Sequence, residues 1–416
     1  MSTFDKIVGY ETIKEELIQI SDMFQNREKY DAIGAKPING ILIYGAAGVG
    51  KTSLAECFAE ECGVNSYLVD KSYDFYKFAD SFSDFFEEVR ANAPAVVILD
   101  DLDDFTEQIH NMLQVELDSI TDLDVVVIAT AKDIDKIPDQ LLRAGRFSRR
   151  IEMCLPTLQE RNQIFEHYLK DKKTDNIDFE DLTMMTADCS CADIKAMVNE
   201  AAINAVFSGR QEVCINDFVE ICLRLQYVSP DLYTVVSEED LRKTALHEAG
   251  HLVISEIFCP DSIGLASVRT DGKDSLNGFV WKCKDLPRRV HDIIVSLGGK
   301  AAVELYYAET CASGCYSDLR NAIRKIRNGI TDSGTCGIGM IDVHAAGIEM
   351  SENMNARNEA VVQAEIEKCM FKARDILLKN RDFLEKTTEL LLEKRTLLHS
   401  DIKALRESLT ITDVAI

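Results

Sequence analysis

Two hydrophobic periodicities divide the chain. Up to about residue 150, short β-branched runs alternate with stretches whose apolar residues recur three and four apart, a pattern that predicts an α/β domain on a largely parallel sheet. Ile41 to Tyr44, Ser66 to Val69, Ala95 to Leu99 and Val125 to Thr130 are the expected strands. Lys51 to Cys62 and Asp84 to Ala93 are the expected helices, the second closed by Pro94.

Beyond Pro156 the helical spacing takes over, with Leu158 to Leu169, Cys191 to Phe207 and Ile215 to Arg224 reading as a small all-helical domain. Ser229-Pro230-Asp231 is a turn signal and the expected hinge. Ser237 to Asp240 then forms a capping-box pattern ahead of a helix running to about Phe258. Strands are expected at Gly264 to Arg269 and Gly278 to Cys283, and helices at Leu286 to Ala308, Ser317 to Ser333, Asn355 to Leu378, Asp382 to Thr396 and Ser400 to Leu409. The expected division is an α/β domain over 1–154, a helical domain over 155–229 and a mostly helical third domain over 230–416.

Composition narrows the functional classes. The 71 acidic and 46 basic residues among 416 leave a formal charge of -25, which repels phosphate backbones, so nucleic acid is not an expected partner. No apolar run approaches the ~20 residues that cross a bilayer, and the first residues lack a signal-peptide core. Thirteen cysteines without a CxxC pair fit reduced thiols in a cytoplasmic protein.

Directly after the first strand stands Gly45-Ala46-Ala47-Gly48-Val49-Gly50-Lys51-Thr52, a GxxxxGKT phosphate loop opening a helix. Its backbone N–H groups can close on ATP phosphates, Lys51 can reach the β- and γ-phosphates, and the Thr52 hydroxyl can ligate Mg²⁺. Asp100 and Asp101 end the strand Ala95 to Leu99; Asp100 is the expected Mg²⁺ partner and Asp101 the expected residue that polarises the attacking water. Arg143 and Arg146, three apart after the fourth strand, are candidate arginine fingers for a neighbouring subunit's γ-phosphate.

A second chemistry sits at His247-Glu248-Ala249-Gly250-His251. On a helix, His247 and His251 project from one face and can share a zinc ion, while Glu248 can serve as general base. A third ligand is required, and His291, Glu304, Cys311, Cys315 and Asp318 are all available downstream. Asp318 has the better local argument, being expected at a helix start where a carboxylate complements the dipole. The strand Gly278 to Cys283, which contains Trp281, is a candidate edge for an extended peptide.

A phosphate loop, an acidic strand end, a double-arginine loop, a helical lid and an HExxH domain in this order resemble the FtsH-type AAA+ zinc metalloproteases, over about Phe4 to Leu405. Leu141 to Phe147 is similar to the family's LLRPGRF, Cys191 to Ala202 to its lid segment, and Ser313 to Asp318 to its TGASND, whose aspartate is the third zinc ligand. The resemblance thus favours Asp318. It implies a homo-hexamer that unfolds and threads unfolded or tagged polypeptides into a zinc proteolytic chamber. Departures are Asp101 where the family has Glu, Ala131 where it has a γ-phosphate-sensing Asn, a short pore segment with Tyr76 and Phe78 as the aromatic grips, and no N-terminal membrane helix, as in a soluble form. Rival readings are a nucleotide-gated zinc peptidase with weak ATP hydrolysis and a non-proteolytic chaperone or remodeller.

Overall fold

The computed structural model describes all residues except 1, 37, 74, 122, 227–236, 270–277, 308–313, 332–351 and 415–416. The expected hinge at Ser229 to Asp231 and candidate ligand Cys311 lie outside the described residues. The chain packs as two compact units, residues 1–173 with 188–200 and residues 174–187 with 201–416.

In the first unit, α1 (Glu11–Gln25) and α2 (Arg27–Asp31) precede the alternating series β1 (Gly40–Gly45), α3 (Lys51–Cys62), β2 (Asn65–Val69), α4 (Phe75–Ala91), β3 (Ala95–Leu99), α5 (Glu107–Ser119), β4 (Val125–Ala131) and β5 (Arg149–Met153). The five strands form one parallel sheet in the order β2-β3-β4-β1-β5. Every residue of β3 and β4 is buried, as a sheet covered on both faces requires. Val97, Leu99, Val127 and Ala129 join the core under α4 and α5, while Val96, Ile98, Val126 and Ile128 join the core under α1 and α3. Because β4 lies between β3 and β1, the carboxyl ends of these three strands open side by side, where open α/β sheets bind ligands. α6 (Leu158–Leu169) follows, started by the Thr157/Glu160 capping box.

Four elements here, α1, α2, α5 and β5, lie outside the expected set, and α4 starts nine residues earlier than Asp84. Phe78, Phe82 and Phe86 recur every four residues and are all buried, so the aromatic run builds the core. Phe78, expected as a substrate grip, instead meets Tyr73, Phe82 and Phe85 edge-on with centroids 5.0–5.6 Å apart.

The second unit contains α7 (Phe179–Met185), and α8 (Cys191–Phe207) contributes its residues from Ala201 onward. Then come α9 (Ile215–Gln226), α10 (Glu238–Phe258), β6 (Ile263–Ser267), β7 (Phe279–Lys282), α11 (Arg289–Tyr307), α12 (Gly314–Thr331), α13 (Glu352–Lys379), α14 (Arg381–Lys394), β8 (Thr396–Leu398) and α15 (His399–Glu407). β7, β6 and β8 make an antiparallel sheet in that order. β8 corrects the expected helix through Thr396: Arg395 adopts a left-handed φ of 63° that stops α14, and Thr396 pairs with Ser267. Glu256, buried near the end of α10, accepts N–H bonds from Asp261 (2.9 Å), Ser262 (2.9 Å) and Ile263 (3.1 Å), fixing the turn into β6. Helices α10 and α11 cross at Gly250 and Gly298, where a Cβ on either glycine would meet the other's backbone inside van der Waals contact. None of the described helices is long and apolar enough to cross a membrane.

Candidate functional site

The chemistry-bearing residues form two centres, one in each unit. At the first, Gly45, Gly48 and Gly50 take positive φ values of 134°, 76° and 104°, which curl the loop back over the start of α3. Ala46, Ala47 and Gly48 are exposed, whereas the Val49 side chain is buried in the core and pins the loop from beneath. Gly48 also lies against Ser190 and Ala192, whose N–H donates to its carbonyl at 3.0 Å.

Lys51 donates to the carbonyls of Gly45 and Ala46, both at 2.8 Å. Burial lowers its pKa, opposed by the nearby Asp101 carboxylate. Thr52 and Thr130 both donate to Oδ1 of Asp100 at 2.7 Å, bringing the two residues expected at Mg²⁺ into direct contact. Thr130 Oγ1 also accepts from the Asp101 N–H at 2.9 Å, so its one proton is committed to Asp100 and the hydroxyl orients the acidic pair.

The two arginines differ. Arg146 grips Asp118 through Nε (2.9 Å) and Nη2 (2.8 Å) and donates to the Gln140 carbonyl at 2.7 Å. Arg143 is exposed, with no such anchor among the described residues.

At the second centre, His247 and His251 lie one turn apart on α10, and Asp318 comes from α12. His247 Nε2 is 2.9 Å from Asp318 Oδ2, His251 Nε2 is 3.1 Å from the same oxygen, and the two nitrogens are 3.1 Å apart. His251 Nδ1 donates to the Val295 carbonyl at 2.6 Å, which leaves a lone pair on Nε2. One ligand atom from each of the three residues thus fits within 4.8 Å of the others. Ring nitrogens and a carboxylate oxygen so close need a proton or a metal ion between them, and this donor set suits zinc. Burial pushes the Asp318 carboxyl upward, but the two imidazoles outweigh it and hold the group well below the usual range. Burial lowers the His251 pKa and its contact with Asp318 raises it further, so the net direction is up. Glu248 is buried beside this cluster, and burial raises its pKa despite the opposing pull of His247 and His251.

Asp318 reaches the cluster from the second turn of α12, which begins at Gly314, so the expected position at a helix start is corrected. Of the other candidates, His291 stacks on Phe258 at 4.2 Å and Glu304 is paired with Lys300 and Arg374. Cys315 lies behind His247, its Sγ 4.0 Å from Nδ1.

Sequence reasoning missed two glycines that shape this centre. A Cβ on Gly299 would stand 2.5 Å from the His247 ring, and one on Gly278, just before β7, would run into Glu248. The available signal was Gly298-Gly299 inside a helical pattern, a costly placement that close packing explains. Gly299→Ala is expected to push the His247 ring aside and weaken zinc retention about 10- to 100-fold, measured by competition with a chromogenic chelator.

Fold and geometry define a phosphate-loop ATPase joined on one chain to a zinc peptidase. The model of the ATPase family associated with various cellular activities (AAA) matches residues 41–155, that of the AAA+ lid domain residues 176–220, and that of peptidase family M41 residues 234–405. An ATP-dependent zinc metalloprotease of FtsH type from Symbiobacterium thermophilum is 31% identical over 98% of this chain and 71% of its own length. Its counterpart from Thermus thermophilus is 30% identical over the same shares, and that from Caldicellulosiruptor bescii 29% identical over 97% and 72%. The chain belongs to the FtsH family of ATP-dependent zinc metalloproteases. Its activity is ATP-dependent zinc proteolysis with accompanying ATP hydrolysis, and its cofactors are Zn²⁺, ATP and Mg²⁺.

Proposed function

We propose that this chain is one subunit of a cytoplasmic homo-hexameric ring that unfolds, threads and cleaves unfolded or tagged polypeptides, with domains divided at 1–154, 155–229 and 230–416. The observation that carries the proteolytic part is the convergence of His247, His251 and Asp318 beside buried Glu248. These three residues would hold zinc. Bound there, zinc supplies a Lewis acid that polarises a scissile carbonyl and acidifies water. Glu248 then takes the proton from the attacking water and returns it to the leaving amine as the C–N bond breaks. β7, paired only with β6 among the described residues and entered from Gly278 against Glu248, is the edge along which an extended substrate would lie.

In the motor, the loop from Gly45 to Thr52 cradles the phosphates, Asp100 with Thr52 holds Mg²⁺, and Asp101 polarises the attacking water. Arg143 and Arg146 are the fingers: Arg143 is exposed, and Arg146 rests on Asp118, which it would leave to meet a neighbouring γ-phosphate. The eleven described cysteines are all free thiols, in keeping with a reducing compartment.

Steady-state ATP turnover, measured together with particle mass, tests the ring. Arg143→Ala is expected to lower turnover about 10³-fold with a hexameric mass retained. Full turnover by Arg143→Ala, or by a monomeric wild type, would contradict catalysis across subunits.

A further inference from the structure

Asp101, the water-polarising residue of the reading above on which this inference rests, does not stand free. Its Oδ2 atom is paired with two ammonium groups, Lys71 Nζ at 2.7 Å and Lys132 Nζ at 3.1 Å. Asp104 sits across the same two lysines, 3.0 Å from Lys71 and 3.4 Å from Lys132. The cluster is held by its backbone: Asp101 takes a left-handed φ of 54°, its N–H donates to Thr130, and the Lys132 N–H donates to Asp103 Oδ1 at 3.1 Å.

Two cations on one carboxylate oxygen oppose its use as a base. Oδ2 already accepts from both ammonium groups, so a water that is to donate to this oxygen must displace one of them. The distances single out which. Lys71 is the nearer to both Asp101 and Asp104, whereas Lys132 is the looser partner of each. Lys132 directly follows Thr130 and Ala131 at the carboxyl end of β4, where Thr130 donates to Asp100, the acid that also accepts from Thr52 of the phosphate loop.

We propose that Lys132 is the γ-phosphate-sensing residue of this chain, and that its transfer from Asp101 to the γ-phosphate frees Asp101 to polarise water. Ala131, at the position where the family carries a sensing Asn, offers no polar group, and Thr130 is committed to Asp100 and Asp101. ADP, which has no γ-phosphate, leaves Lys132 on Asp101. The same lysine therefore distinguishes the two nucleotides and gates the base.

The test is the affinity of wild type, Lys132→Met, Lys132→Arg and Lys71→Met for ADP and for a non-hydrolysable ATP analogue, each with Mg²⁺, by displacement of a fluorescent nucleotide. Lys132→Met is expected to bind the analogue about 10- to 100-fold more weakly with ADP affinity within twofold, the loss of one charge-assisted contact. Lys132→Arg should retain most of the analogue's preference, and Lys71→Met all of it. Equal weakening of both nucleotides by Lys132→Met, or no change in either, would overturn the lysine's role while leaving the nucleotide site standing. Binding of neither nucleotide by wild type would overturn that site and this inference together.

Discussion

Glu248→Gln is expected to lower cleavage of unfolded casein by about 10²- to 10⁴-fold, the usual contribution of a positioned general base. The amide keeps the volume of the side chain, so its fit against Gly278 is retained. None of the three ligating groups is changed, so zinc content by elemental analysis should stay at one per chain. ATP turnover, which depends on residues of the other unit, should be within twofold of wild type. Casein cleavage at more than a tenth of the wild-type rate would show that another group moves the proton. A metal-free variant would instead place Glu248 among the groups that hold the ion.

Lys51→Ala carries the second large effect. Lys51 is buried, and among the described residues its ammonium donates to the Gly45 and Ala46 carbonyls and to no carboxylate, an arrangement that phosphate oxygens can take over without disturbing a salt bridge. Removing it deletes the loop's only cationic side chain from a site that depends on charge stabilisation, and ATP turnover is expected to fall at least about 10²-fold. Degradation of a folded, tagged substrate should be lost in proportion. Cleavage of a short peptide that needs no unfolding should persist at more than half the wild-type rate in any assembly that still forms. Undiminished degradation of the folded substrate would separate proteolysis from the motor.

Much of this was legible in the chain because the informative patterns were local. The buried strands β3 and β4 read as continuous β-branched runs, α3 followed from the phosphate loop that ends at its start, and α6 and α8 from the apolar spacing beyond Pro156. HExxH fixes two ligands one helical turn apart whatever the surroundings. Asp318 was harder: it approaches from another helix, 67 residues beyond His251, and spacing could not separate it from His291 or Cys315. The family resemblance favoured it, and the geometry brings it to the two imidazoles.

What escaped the sequence was decided by tertiary partners. β8 is three residues long and is a strand only because Ser267 and its neighbours pair with it. The Phe78 to Phe86 run looked like grips or a short helix until the sheet face beneath it was known. The roles of Gly278 and Gly299 depend on side chains many residues away, and the lysine pair on Asp101 joins residues 71 and 132 across β3 and β4.

The most direct measurement is casein degradation by the purified zinc-loaded protein with ATP, with a non-hydrolysable analogue and with no nucleotide, Glu248→Gln running alongside. Degradation is expected with ATP alone and is expected to vanish in Glu248→Gln. Equal degradation with the analogue and with ATP, or none under any condition, would contradict a protease driven by ATP hydrolysis.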